Sequence, residues 1–132
     1  MKTKLLIITI FLLCFINDNK AQQAELKAIN SCLQNGDTKM LAFHFIDNID
    51  LTLLTEDDIF SKSQAEAMIG DFFKKNKPNK LVVEHEGNSK SNDYYAIGTL
   101  STSSGNYRVT FFLIKVNSSY KIKQLRIEKS NR

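Results

Sequence analysis

The chain has 132 residues, 42% hydrophobic and 24% charged, with 18 Lys and Arg against 14 Asp and Glu, a formal net charge of +4. Five Gly, one Pro and two Cys exclude a collagen-like, low-complexity or disulfide-framed chain. The length suits one domain rather than two.

Residues 1–21 read as a secretory signal peptide. Met1-Lys2-Thr3-Lys4 is a positive start, residues 5–16 are apolar except for Thr9, and Asn17 to Gln22 is polar with Ala21 before the expected cut. Twelve residues are too few for a membrane span, which needs about 20. Leu13 and Phe15 flank Cys14 where a lipidation site requires small residues. The expected product is a periplasmic or secreted domain of residues 22–132. That remainder is 111 residues with a net charge of +2, which does not favour a nucleic-acid partner. Cys32 is then the one thiol left, on an apolar helical pattern that favours burial.

Helices come first. Leu26, Ile29 and Leu33 are helically spaced over 24–35, and Asn35-Gly36 offers a left-handed stop. Asp37 can cap a second helix carrying Met40, Leu41, His44 and Phe45, ended by Asp47-Asn48. Ile49, Leu51 and Leu53 alternate as a short strand, and Ile59-Phe60 suggests another. Ser63 to Glu66 reads as a capping box opening a third helix. That helix buries Ala65, Met68, Ile69, Phe72 and Phe73, ends in Lys74, Lys75 and Lys77, and is stopped by Pro78.

From Lys80 the period changes to two. Strands are expected at 81–87, 94–102, 106–116 and 120–128, separated by turn-forming segments such as Ser103-Ser104-Gly105 and Asn117-Ser118-Ser119. Links this short imply an antiparallel meander. The strand from Tyr107 to Val116 is apolar on both faces: Tyr107, Val109, Phe111 and Leu113 on one, Phe112, Ile114 and Val116 on the other. Helices can cover one face only, so the second is expected to form a homodimer contact. The fold class is α+β, a cone of three helices packed on a strongly bent antiparallel sheet.

Specific stretches of text point the same way. Gly36-Asp37, Ser61-Lys62-Ser63-Gln64-Ala65, Tyr95-Ala96-Ile97-Gly98-Thr99-Leu100, Tyr120-Lys121-Ile122 and Leu125-Arg126-Ile127-Glu128 together resemble the domain of unknown function 4783 family of small exported Bacteroidetes proteins. The resemblance spans about residues 24–129. It implies a nuclear-transport-factor-two-like (cystatin-like) fold and export, and carries no activity.

Chemistry is sparse. The sequence contains no phosphate-binding glycine loop, no H-E-x-x-H, no C-x-x-C and no G-x-S-x-G. Two His and one Cys beyond the leader are too few for a zinc site, and Glu56-Asp57-Asp58 lacks calcium-loop spacing. No metal or cofactor is expected. If the cone were an enzyme, His44 or Asp50 would be the base and Tyr95 the hydrogen-bonding partner. His44, His85, Tyr95, Tyr107 and Arg126 are the candidates for lining a ligand pocket. Each has a plain structural reading: His44 as a core histidine, His85 between Glu84 and Glu86 as a solvated strand side, Tyr95 and Tyr107 as strand formers, Arg126 paired to Glu128. The lysines at 74, 75, 77, 80, 121 and 123 read as a solvated helix end and edge strand.

Three function classes follow. The leading one is a non-catalytic binding module holding a small apolar ligand, a peptide or a protein partner. The others are an isomerase- or dehydratase-like enzyme and a structural accessory subunit of an envelope assembly.

Overall fold

The computed structural model describes residues 20–131 apart from Asn92, so residues 1–19 of the expected leader over 1–21, with Cys14, lie outside the described residues. Among them no helix is long and apolar enough to cross a membrane.

Helix α1 is present over 20–35 and buries Leu26, Ile29, Cys32 and Leu33. It ends where Gly36 takes a φ of 68°, a conformation that costs an L side chain and that glycine adopts freely. The backbone N–H of Asp37 then closes onto the carbonyl of Cys32 at 2.9 Å. Asp37 caps helix α2 (Thr38–Phe43), its carboxylate accepting from the N–H of Met40. Burial pushes the Cys32 thiol pKa up, helped by the nearby Asp37 charge, which keeps it protonated and inert.

Helix α2 stops sooner than its apolar spacing suggests. His44 is the C-cap, and Phe45 starts strand β1 (Phe45–Leu53) instead of continuing the helix to Asp47. The last strand decides this: the N–H of Ile122 donates to the carbonyl of His44, and Phe45 lies opposite Ile122. Burying Phe45 in the sheet outweighs one more helical turn. Strand β2 (Glu56–Ser61) returns antiparallel to β1.

Helix α3 (Lys62–Lys75) starts directly from β2. Its capping box is Ser61 with Gln64, two residues earlier than the Ser63–Glu66 pair expected from sequence. The Ser61 hydroxyl accepts from the Gln64 N–H at 3.2 Å, and the Gln64 side chain accepts from the Ser61 N–H at 3.0 Å. Both serines satisfy the motif, but the register of Ser61 opposite Asn48 fixes where the strand ends and so which serine caps. Ala65, Ile69, Phe72 and Phe73 are buried as expected, with Met68 partly so.

Four strands complete the sheet: β3 (Pro78–Asn88), β4 (Tyr94–Thr102), β5 (Gly105–Val116) and β6 (Ser119–Lys129). They form the expected antiparallel meander, but the sheet is not antiparallel throughout. Its order is β2-β1-β6-β5-β4-β3, and β1 joins β6 in parallel. Short links report only on neighbours in the chain, so a pairing between the first and last strands leaves no turn signal.

The three helices cover one face. Tyr94, Ala96 and Leu100 of β4, Tyr107, Val109, Phe111 and Leu113 of β5, and Ile122, Leu125 and Ile127 of β6 point under them. They meet Leu33, Leu41, Phe45, Ile69 and Phe72 in one continuous core. Fully buried Phe45, Phe111, Leu100 and Leu125 fill the middle of the cone with side chains.

Candidate functional site

The sheet divides the residues singled out in the sequence. His44 lies on the helical side, buried, its Nδ1 paired with the Glu25 carboxylate of α1. This is a cross-link between α1 and the α2–β1 junction. Tyr107 is also on that side, packed edge-on against Phe72, with its hydroxyl donating to the Asn76 side chain at 3.0 Å. Each has a structural partner, and neither meets another candidate.

The rest fall on the face that the helices leave uncovered. Strand register sets Asp50, Gln124, Phe112 and Tyr95 in one row across β1, β6, β5 and β4. Gln124 donates to Asp50 at 3.2 Å, and the Tyr95 and Phe112 rings lie 6.1 Å apart. The next row is Thr52, Arg126, Thr110, Ile97 and His85. Arg126 Nε donates to Glu128 at 2.8 Å, and this bond, with the Glu128 charge, raises the already high guanidinium pKa. Phe112 and Ile114 are half-buried and Val116 is exposed. His44, Asp50 and Tyr95 are thus split between the two faces and are not assembled as one catalytic group.

Sequence alternation misses what happens at β3. Val83 pairs with Gly98 and His85 with Ile97, so Glu84 is an extra residue in a β-bulge. Glu84 and His85 are consecutive, yet both line one hollow on the uncovered face. Thr99 donates to Glu84 at 2.7 Å. Glu86 is left for the other face, beside the buried Tyr94 hydroxyl. Burial, then the Glu86 hydrogen bond and charge, push the Tyr94 pKa up to about 12. Nothing in the text Val83-Glu84-His85-Glu86 marks the bulge except the Gly98 opposite. A Cβ there would lie 2.6 Å from the Val82 carbonyl oxygen.

Among the described residues no three His, Cys, Asp or Glu side chains are placed to share a metal ion. A shallow groove of about 780 Å³ runs between the α1–α2 turn and α3, over Gly70, Ala67 and Phe73.

The family model for the domain of unknown function DUF4783 matches residues 26–128. The chain belongs to the DUF4783 family. A DUF4783 protein from Bacteroides ovatus is 33% identical, covering 80% of this chain and 94% of that one, with a TM-score of 0.73. One from Bacteroides uniformis is 29% identical over 80% and 97%, with a TM-score of 0.74. An uncharacterized protein with a cystatin-like fold from Caulobacter vibrioides is 14% identical over 87% and 91%, with a TM-score of 0.66, a likeness of fold alone. Among the curated proteins none matches. The DUF4783 fold is therefore the cystatin-like, nuclear-transport-factor-two-like cone.

Proposed function

We propose that this DUF4783 protein is an exported, non-catalytic protein-binding module that self-associates through the uncovered face of its sheet. Residues 1–21 act as the leader, and residues 22–132 form the working domain. The observation that carries this reading is the contrast between the two faces. The helical side is filled by its own core, whereas Tyr95, Ile97, Phe112 and Ile114 make an apolar band on the other side, with no helix over it among the described residues. Such a band, flanked by Arg126, Glu128 and Asp50, has the apolar centre and polar rim of a protein interface. A second copy is the partner of choice because one face offers apolar centre and both charge signs, as a two-fold contact requires.

The enzymatic reading draws no support from the placement of His44, Asp50 and Tyr95. A small-ligand reading centred on the cone draws none from a centre occupied by Phe45, Phe111 and Leu125.

Light scattering on the 22–132 protein tests the proposal. The expected mass is twice that of the chain, and Phe112→Lys should return it to one copy while the thermal transition stays cooperative. A monomer at every concentration, or a dimer indifferent to Phe112→Lys, overturns the reading.

A further inference from the structure

The hollow beside the β3 bulge has a volume of about 310 Å³, at the small end of ligand sites. It collects Glu84 and His85 from β3, Thr99 from β4, Arg108 from β5 and Glu128 from β6, closed at one end by the 129–131 tail. Its row, Thr99–Arg108–Glu128, lies two rows along the strands from Tyr95 and Phe112.

The charges there are separated rather than spent on each other. Glu84 uses one oxygen on the Thr99 hydroxyl, and Glu128 uses one on Arg126. That leaves the second oxygen of each carboxylate, the whole Arg108 guanidinium and the His85 ring without a bonded partner among the described residues. Arg108 sits across from Glu128 in the register, yet the two make no ion pair. A planar guanidinium with a free fork binds a carboxylate with two parallel hydrogen bonds. Free carboxylate oxygens nearby accept from an ammonium. The charges that line the hollow, Glu84 and Glu128 against Arg108 and Lys129, cancel. A net anion is therefore not favoured over a neutral ligand, but a dipolar one is.

We infer that this hollow binds a free α-amino acid, its carboxylate on Arg108 and its ammonium between Glu84 and Glu128. The bulge is what makes the site: without the extra residue, Glu84 and His85 would face opposite sides of the sheet. The assignment does not rest on self-association.

Amide and arginine side-chain NMR shifts of the 22–132 protein, titrated with L-alanine, propionate and ethylamine, test it. The two controls are alanine without its ammonium and without its carboxylate. L-Alanine should give saturable shifts at Thr99, Arg108 and Ser130 by about 50 mM, and each fragment should bind about tenfold more weakly or worse. Arg108→Gln and Glu84→Gln, both at exposed positions, should each weaken L-alanine about tenfold, the effect of one charge-assisted hydrogen-bonded pair. Absence of saturable shifts overturns the inference. So does either fragment matching L-alanine, or binding unchanged in Arg108→Gln. Repeating the titration on Phe112→Lys separates this site from the dimer contact, since that variant should lose self-association and keep L-alanine.

Discussion

Gly98 and Tyr94 show how single atoms govern this molecule. Gly98 faces the core side of β4 where the bulged strand β3 passes closest, and a methyl group there would sit 2.6 Å from a backbone oxygen. Backbone cannot move aside as a side-chain end can. Gly98→Ala should therefore cost about 2–3 kcal/mol, read as a lower urea midpoint at unchanged slope. Tyr94 supplies a pH signature. Its hydroxyl ionises near 12 in the folded chain and near 10 when unfolded, so between those values the folded state holds a proton that the unfolded state has released. By linkage, this contribution is complete below pH 10 and is lost as pH rises toward 12. Denaturant midpoints measured through that window should fall more steeply for the wild type than for Tyr94→Phe. Neither residue stands out in the text: the neighbouring Tyr95 has the same chemical type, and only the side of the sheet separates a buried phenol from a half-buried one.

At the level of elements, the sequence was most legible where local chemistry decides and least where a distant strand does. Strands β4, β5 and β6 follow from alternation and turn residues, because each pairs with its chain neighbour. The α1 stop follows from Gly36. By contrast, the early end of α2 and the start of α3 are set by pairings to Ile122 and Asn48, which no window of ten residues contains. The two serines at the β2–α3 junction turn this into a measurement. Ser61→Ala should destabilise the protein by about 1 kcal/mol, the ordinary worth of an N-cap, while Ser63→Ala should be near neutral. A larger loss for Ser63→Ala than for Ser61→Ala would mean the helix starts where the motif alone suggested. The candidate site was legible in part. Residue types named from sequence, His85, Tyr95 and Arg126, do lie on one face, but the bulge that puts Glu84 beside His85, and the placing of Arg108 across from Glu128, are products of register.

For the whole molecule, the parallel seam between β1 and β6 has a temporal consequence. In space these strands are neighbours; in the chain they are the first and last strands, with all of α3 and four strands between them. A polypeptide emerging from the ribosome can make the β1–β2 hairpin early and the β3–β4–β5 meander later, but these two pieces share no strand pairing until β6 exists. The strand that unites them is the last of the six to be synthesised. Until then the nascent domain consists of two sheet fragments, each with an open edge, and closing the long loop between them makes folding intrinsically slow. For the exported protein proposed above, a translocation machine that needs its cargo unfolded would thereby be given time: this architecture delays its own completion until the sixth strand has left the exit tunnel.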